Sequence, residues 1–138
     1  MLSFLRQKES FYKSVFGSSP DPSHILSGTF ESIEEKLASE ANSISMDYWF
    51  QFPEMVQIAA DTFSRAIACY TPDNQSTTFV PYFSSPSTTL PILLQLHNSH
   101  FYIIEIKPKS RPRWPRTFVG HSFNCKRFSL IDYTLMYE

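Results

Sequence analysis

Glycine, cysteine and long apolar runs are all scarce in this chain of 138 residues, and each shortage excludes a class of protein. Three glycines are too few for the glycine-rich loops that cradle phosphates. Two cysteines, Cys69 and Cys125, are too few for a disulfide framework and are typical of a reducing compartment. No apolar stretch approaches the roughly 20 residues of a membrane-spanning helix, and Arg6 and Lys8 come too early for a signal peptide. We therefore expect an intracellular protein, cytoplasmic or nuclear, with no membrane partner.

The composition predicts a folded chain without a strong charge of either sign. Hydrophobic residues make up 42% and aromatic residues 16%, enough for a real core. The net charge of −1 gives the chain as a whole no electrostatic attraction for nucleic acid, so a nucleic-acid partner is not expected. The length suits one domain or part of one.

Apolar residues at helical spacing predict three helices in the first half of the chain. The first covers 4–16, and the second covers 30–41 with Thr29 as its N-cap. The third begins at Pro53 and Glu54, because proline suits the first helical position and an acidic side chain suits the first turn.

Four strands are predicted in the second half. A short buried strand covers 66–70, and a strand at 77–80 is placed at a sheet edge because Pro81 follows it. A hairpin then joins 90–97 to 100–106 through Asn98 and Ser99; we expect its first strand to be buried and its second to be covered on both faces. The fold class is therefore α/β (α+β): a small mixed or antiparallel sheet of about four strands, with helices packed on it.

The composition changes after residue 106. The basic segment, residues 107–116, holds five basic residues and three prolines, which predict an extended, polyproline-like conformation. The tail at 117–138 regains apolar residues and is expected to add a strand or a short helix. The predicted organisation is a domain at 1–106, the basic segment, and this tail.

Three stretches of the predicted domain are distinctive: residues 5–12 read LRQKESFY, residues 48–60 read YWFQFPEMVQIAA and residues 91–101 read PILLQLHNSHF. In this order they resemble the C-terminal part of the OTU (ovarian-tumour) family of cysteine deubiquitinases. Residues 5–12 resemble the end of a family helix that closes with an aromatic pair. Residues 48–60 resemble the family's tryptophan and the helix that follows it, and residues 91–101 resemble the strand and the histidine–aromatic pair of the active site. The resemblance spans roughly residues 4–106 and implies a partial OTU-like domain.

By this resemblance, His100 occupies the position of the catalytic base. We expect it to be exposed at the sheet edge, beside the groove in which the family's cysteine helix lies. The alternative is a structural histidine that only satisfies backbone groups at the end of a hairpin.

The nucleophile that such a base would serve has no counterpart in the chain. The family's Asp-Gly-x-x-Cys loop lies upstream of the matched residues and is not found here. Cys69 falls in an apolar strand, where a thiol is usually inert, and Cys125 has no family counterpart. The third triad position, two residues after His100, is Tyr102, whose phenol cannot orient an imidazole as a carboxylate does.

The remaining candidates have plainer structural explanations. His97 and His100 with Cys125, or His121 with Cys125, supply zinc-ligand types, but each pair is isolated, so no metal or other cofactor is predicted. Trp114 offers a stacking surface for nucleic acid within the basic segment, against the simpler explanation of a solvated linker. The other candidates are a solvent-exposed histidine, two surface carboxylates and a core tryptophan: His24, Glu105, Asp132 and Trp49.

Two hypotheses of function follow. The first is an OTU-like protein without its catalytic cysteine, inactive as a peptidase and able to bind ubiquitin or a ubiquitin-like protein. The second is a non-enzymatic interaction protein that uses the basic segment to bind acidic partners or nucleic acid.

Overall fold

The computed structural model describes residues 1–16, 30–38, 52–87, 90–107 and 113–138. They form two compact units, Met1–Thr62 and Phe63–Glu138. The predicted α+β class is confirmed: the second unit contains a small mixed sheet of four strands, and helices occur in both units. None of the described helices is both long enough and apolar enough to cross a membrane.

The first unit is helical. Its helices are α1 (Leu2–Gln7), α2 (Glu9–Val15), α3 (Phe30–Ala38) and α4 (Glu54–Phe63), whose last residue already belongs to the second unit. The predicted helix at 4–16 is interrupted at Lys8, whose backbone leaves the helical region (φ −110°, ψ 33°). No glycine or proline marks this break, so it has no local signal in the sequence. Thr29 and residues 39–41 of the predicted second helix lie outside the described residues.

Packing and ion pairs hold α3 against the first two helices. Phe30 and Ile33 of α3 are buried, as helical spacing predicts for one apolar face. On the exposed side, Arg6 of α1 lies 3.2 Å from Glu34, and Lys13 of α2 lies 4.0 Å from Glu31. Exposed pairs of this kind contribute little to stability, so burial of the apolar face stabilises the unit more than they do.

The sheet of the second unit has the strand order β2-β1-β3-β4. The strands are β1 (Ile67–Tyr70), β2 (Thr77–Phe79), β3 (Ile92–His97) and β4 (His100–Ile103). β1 runs antiparallel to β2 and parallel to β3, and β3 runs antiparallel to β4. The predicted hairpin turn is present: Asn98 and Ser99 have φ values of 49° and 63°, the left-handed conformation that a two-residue hairpin turn requires.

Two details of the predicted hairpin were wrong. β4 is not covered on both faces, because Tyr102 is 51% exposed and Ile103 is 81% exposed. β3 is only half buried, with Leu93 buried and Gln95 and His97 exposed. The physical reason is position in the sheet: β4 is the terminal strand, and an apolar run looks the same in the sequence whether its strand is central or terminal.

The tail adds two short helices and one isolated β-bridge to the second unit. It forms α5 (His121–Arg127) and a 3₁₀ helix (Thr134–Tyr137). Before α5, Thr117 makes a single parallel bridge to Thr78 of β2, and the Thr78 hydroxyl donates a hydrogen bond to the Pro115 carbonyl at 2.7 Å. β2 is therefore an edge strand of the sheet, as predicted, but residues 115–118 form hydrogen bonds along its outer side.

Candidate functional site

His100 lies where the sequence places it, at the first position of β4 and immediately after the turn. It is exposed, and its register partner on β3 is His97, which is also exposed. Directly opposed residues of an antiparallel pair project to the same side of the sheet, with Cβ atoms about 4.5–5.5 Å apart. The two imidazoles therefore form a neighbouring pair at the turn end of the hairpin. The groove that the family resemblance implies beside His100 stays a prediction.

The strand register defines a hairpin face that consists of Gln95, His97, His100 and Tyr102. Gln95 is the partner of Tyr102 and His97 is the partner of His100, and alternation along each strand puts all four on one side. All four are exposed. This end of the sheet therefore presents two imidazoles, an amide and a phenol to the solvent.

Cys69 projects to the opposite side of the sheet from His100. Its partner in β3 is Leu94, which lies an odd number of positions from His97. Because side chains alternate along a strand, Leu94 and Cys69 share one face while His97 and His100 share the other. His100 is also about 10 Å further along the sheet, from three residues at about 3.3 Å each. These two residues cannot form a thiol–imidazole pair in this fold.

The Cys69 thiol is also chemically unsuited to nucleophilic attack. Cys69 is fully buried in the central strand β1. This burial raises the pKa of the Cys69 thiol from 9.0 to about 12, because a thiolate is poorly solvated there. Since the thiolate is the nucleophile, Cys69 is unreactive at neutral pH.

Cys125 lies in a different setting, a cluster of three side chains that the fold assembles around α5. His121 and Cys125 are four residues apart on α5 and therefore lie on one helix face. Asp132 returns to the same place after the turn that follows the helix. One imidazole nitrogen of His121, the Cys125 sulfur and one Asp132 carboxylate oxygen all lie within 4.8 Å of one another.

His121 is fully buried and its ring is fixed by stacking. The imidazole lies nearly parallel to the ring of Tyr82, with 4.2 Å between the ring centroids and an angle of 12° between the planes. Neither ring nitrogen has a hydrogen-bond partner among the described residues. Burial lowers the pKa of His121 from 6.5 to about 4, against the opposing effect of the Asp132 charge. The imidazole is therefore neutral at pH 7 and offers a lone pair.

Asp132 is the exposed member of the cluster. Burial acts to raise its pKa, but hydrogen bonds from Ser122 and Thr134 and the nearby His121 outweigh this effect, and the pKa of Asp132 is lowered. The backbone N–H of Thr134 donates to one carboxylate oxygen at 2.9 Å. Asp132 is thus ionised and oriented beside its buried neighbours.

The cluster has the residue types of a thiol-protease triad, but its cysteine is neither accessible nor activated. The Cys125 thiol is buried and donates a weak hydrogen bond to the Ile131 carbonyl at 3.8 Å. Activation of a cysteine needs access for substrate and a nearby imidazolium or base that can take the proton. A neutral imidazole is a base, but burial makes His121 a weak one, with a pKa of about 4, and the buried Cys125 thiol offers no access to a substrate. Nitrogen, sulfur and carboxylate donors in one place are instead suited to a transition metal.

The other candidates from the sequence are dispersed. Glu105 is exposed beyond the end of β4, and in the basic segment Lys107, Arg113 and Arg116 are exposed while Trp114 is half-buried. The extended conformation predicted for the basic segment falls largely on residues 108–112, which lie outside the described residues, as do His24 and Trp49.

Nothing in the sequence indicates that Asp132 lies near His121 and Cys125, so sequence reasoning did not predict the cluster. The four-residue spacing was visible, but the third member depends on the turn after α5. Ser129 makes that turn with a positive φ of 55°, a conformation usually signalled by glycine or asparagine. No residue type marks the turn in advance.

Comparison of the chain with protein-family models, with curated proteins and with solved structures gave no match. The OTU resemblance therefore depends on the stretches at 5–12, 48–60 and 91–101 and on the position of His100.

Proposed function

We propose that this chain is an OTU-like domain without peptidase activity, and that it binds ubiquitin or a ubiquitin-like protein on the hairpin face. The observation that carries the proposal is that Gln95, His97, His100 and Tyr102 share one exposed face at the turn end of the β3–β4 hairpin. The resemblance places this same hairpin at the family's active site, where substrate ubiquitin is held.

The positions of the two thiols support the first half of the proposal. Cys69 is buried on the other face from His100, and Cys125 is buried in a separate cluster with a neutral imidazole. An exposed base without an accessible thiol can bind a partner but cannot start acyl transfer from a cysteine.

The chemistry of the hairpin face supports the second half. Tyr102 is 51% exposed, and tyrosine is among the side chains that most often dominate protein interfaces. β4 is also the last strand in the order of the described sheet, the position at which a partner strand adds to a sheet. An aromatic anchor beside polar rings and a terminal strand is a surface suited to a folded protein partner.

Titration of ¹⁵N-labelled chain with unlabelled ubiquitin tests this proposal. We expect chemical-shift changes that centre on residues 95–103. Tyr102→Ser should weaken binding by about fivefold or more, the loss of about 1 kcal/mol that marks an interface anchor. Leu135→Ser is the matched control, because Leu135 is also apolar and 78% exposed but lies on the 3₁₀ helix.

Two results would contradict the proposal. One is an unchanged spectrum at saturating ubiquitin. The other is binding that Leu135→Ser weakens and Tyr102→Ser leaves intact, which would move the interface to the C-terminal tail.

The basic segment is the alternative interaction site, and one observation favours it. The Arg116 carbonyl accepts a hydrogen bond from the Thr78 backbone N–H at 3.0 Å, so this end of the segment is fixed to the sheet while the Arg113 and Arg116 side chains stay exposed. Two arginines on a fixed backbone are a starting point for contacts with phosphate or carboxylate groups.

A further inference from the structure

Three donor atoms of different chemistry converge beside α5, and none of them belongs to the hairpin face. They are an imidazole nitrogen of His121, the sulfur of Cys125 and a carboxylate oxygen of Asp132, all within 4.8 Å of one another. Ligands around a tetrahedral zinc ion lie about 3–4 Å apart, from metal–ligand distances of about 2.0–2.3 Å. The observed limit of 4.8 Å exceeds that range by about 1 Å, so the ligand atoms need to approach only slightly to surround an ion.

An independent observation also points to a ligand in this place. His121 is 0% exposed, and neither of its ring nitrogens has a hydrogen-bond partner in the described parts of the chain. A buried polar atom without a partner costs about 1–3 kcal/mol, so such atoms in folded proteins normally contact a water molecule or an ion. The stacking of the ring on Tyr82 fixes the direction in which the nitrogen points.

The backbone around the cluster is held by its own hydrogen bonds. The Leu130 N–H donates to the Cys125 carbonyl at 2.7 Å, which closes the turn after α5. Asp132 then accepts from the Thr134 N–H and is oriented at the start of the 3₁₀ helix. The carboxylate is thus presented to the helix by a preorganised turn and by a hydrogen bond of the kind that orients metal ligands.

We propose that His121, Cys125 and Asp132 bind one Zn²⁺ ion, with water in the fourth position. A thiolate, an imidazole and a carboxylate form a ligand set that zinc accepts, and exposed Asp132 leaves one side of the site open to water. On binding, the Cys125 S–H bond breaks, a Zn–S bond forms and the proton passes to the buffer. The ion joins α5 to the segment that follows it and stabilises the second unit.

Cobalt(II) is the probe that reports on the ligands themselves. The chain of 138 residues, freed of metal with a chelator and then exchanged into chelator-free buffer, is titrated with Co²⁺. We expect the near-ultraviolet charge-transfer absorption of a cobalt–thiolate bond, saturating at one ion per chain and abolished by one equivalent of Zn²⁺. The thermal unfolding midpoint should rise when Zn²⁺ is added to the metal-free chain, because the ion binds only the folded state.

Cysteine variants separate this site from adventitious binding. Cys125→Ala should abolish the charge-transfer absorption, while Cys69→Ala should retain it, because Cys69 lies in β1 outside the cluster. Asp132→Asn should raise the dissociation constant for Zn²⁺ by at least about tenfold, the effect of disturbing even an outer-shell group. This variant guards against misfolding as an explanation, since Asp132 is exposed and asparagine keeps an oxygen to accept from Thr134.

The proposal is overturned by any of three results. The first is no cobalt–thiolate absorption with chain that is folded by circular dichroism. The second is absorption that survives in Cys125→Ala. The third is Zn²⁺ binding that Asp132→Asn leaves unchanged but His97→Ala weakens, which would place the ion on the hairpin instead.

Discussion

Cys69 and His100 project from opposite faces of the same four-stranded sheet. The register fixes this relationship: Cys69 pairs with Leu94, while His100 pairs with His97 three positions further along β3. An odd separation on a strand always reverses the face. The histidine that resembles a family base and the strand cysteine are therefore kept apart by the backbone itself, and no side-chain rotation brings them together.

The buried Cys69 thiol should be protected from alkylation at pH values that ionise ordinary thiols. With a pKa of about 12 against 9.0 when unfolded, its thiolate fraction at pH 9 falls by more than a hundredfold on folding. We expect iodoacetamide to label Cys69 in folded chain at least about a hundredfold more slowly than in urea-unfolded chain. Peptide mapping by mass spectrometry distinguishes the two cysteines.

The raised pKa of Cys69 also determines whether stability rises or falls with pH. An acid whose pKa is higher in the folded state is deprotonated first in the unfolded state, so full stability is kept below about pH 9 and is lost progressively between pH 9 and 12. The measurement is the midpoint of urea unfolding, which should fall less between pH 9 and 12 in Cys69→Ala than in the original chain. Equal alkylation rates in folded and unfolded chain would show that Cys69 is accessible.

Tyr12→Phe should destabilise the first unit. The Tyr12 hydroxyl donates a hydrogen bond to the Asp61 carboxylate, and both residues are almost fully buried. Removing the hydroxyl leaves a buried carboxyl oxygen without this donor, which costs about 1–3 kcal/mol, measured as a lower free energy of unfolding in urea. Tyr102→Phe is the matched control: it deletes a hydroxyl from an exposed tyrosine and should change stability by less than about 0.5 kcal/mol. Equal effects of the two variants would contradict the role of the buried pair.

The basic segment is expected to contribute no nucleic-acid binding at physiological salt. The chain as a whole has a net charge of −1, and the described cations of the segment are the exposed Lys107, Arg113 and Arg116. Fluorescence anisotropy with a labelled single-stranded oligonucleotide should show no saturation at about 0.15 M salt. Saturable binding would favour the alternative function if the logarithm of the binding constant falls with log salt at a slope of about −2. This binding should be lost in the double variant that carries Arg113→Glu and Arg116→Glu.

The sequence predicts those elements that local signals define. Pro53 and Glu54 mark the start of α4, and Asn98 with Ser99 supply the left-handed turn of the hairpin. These signals act within a few residues, so they can be recognised before the fold is known.

The missed features depend on long-range arrangement. Exposure of Ile103 follows from the terminal place of β4 in the sheet, which no local pattern records. The meeting of Asp132 with His121 depends on a turn at Ser129, a residue type that does not mark a left-handed backbone. The stretch of sequence at 121–132 therefore showed candidate ligands without showing that they converge.

Ubiquitin with an electrophilic group at its C-terminus tests most directly whether any thiol in this chain is served by His100. Incubation with folded chain should give no covalent adduct, because Cys69 and Cys125 are both buried and Cys69 lies on the far face. Urea-unfolded chain treated with iodoacetamide should be alkylated at both cysteines, which confirms that the thiols are intact. An adduct at Cys69 or Cys125 in folded chain, abolished by His100→Ala, would contradict this expectation and show an active cysteine peptidase.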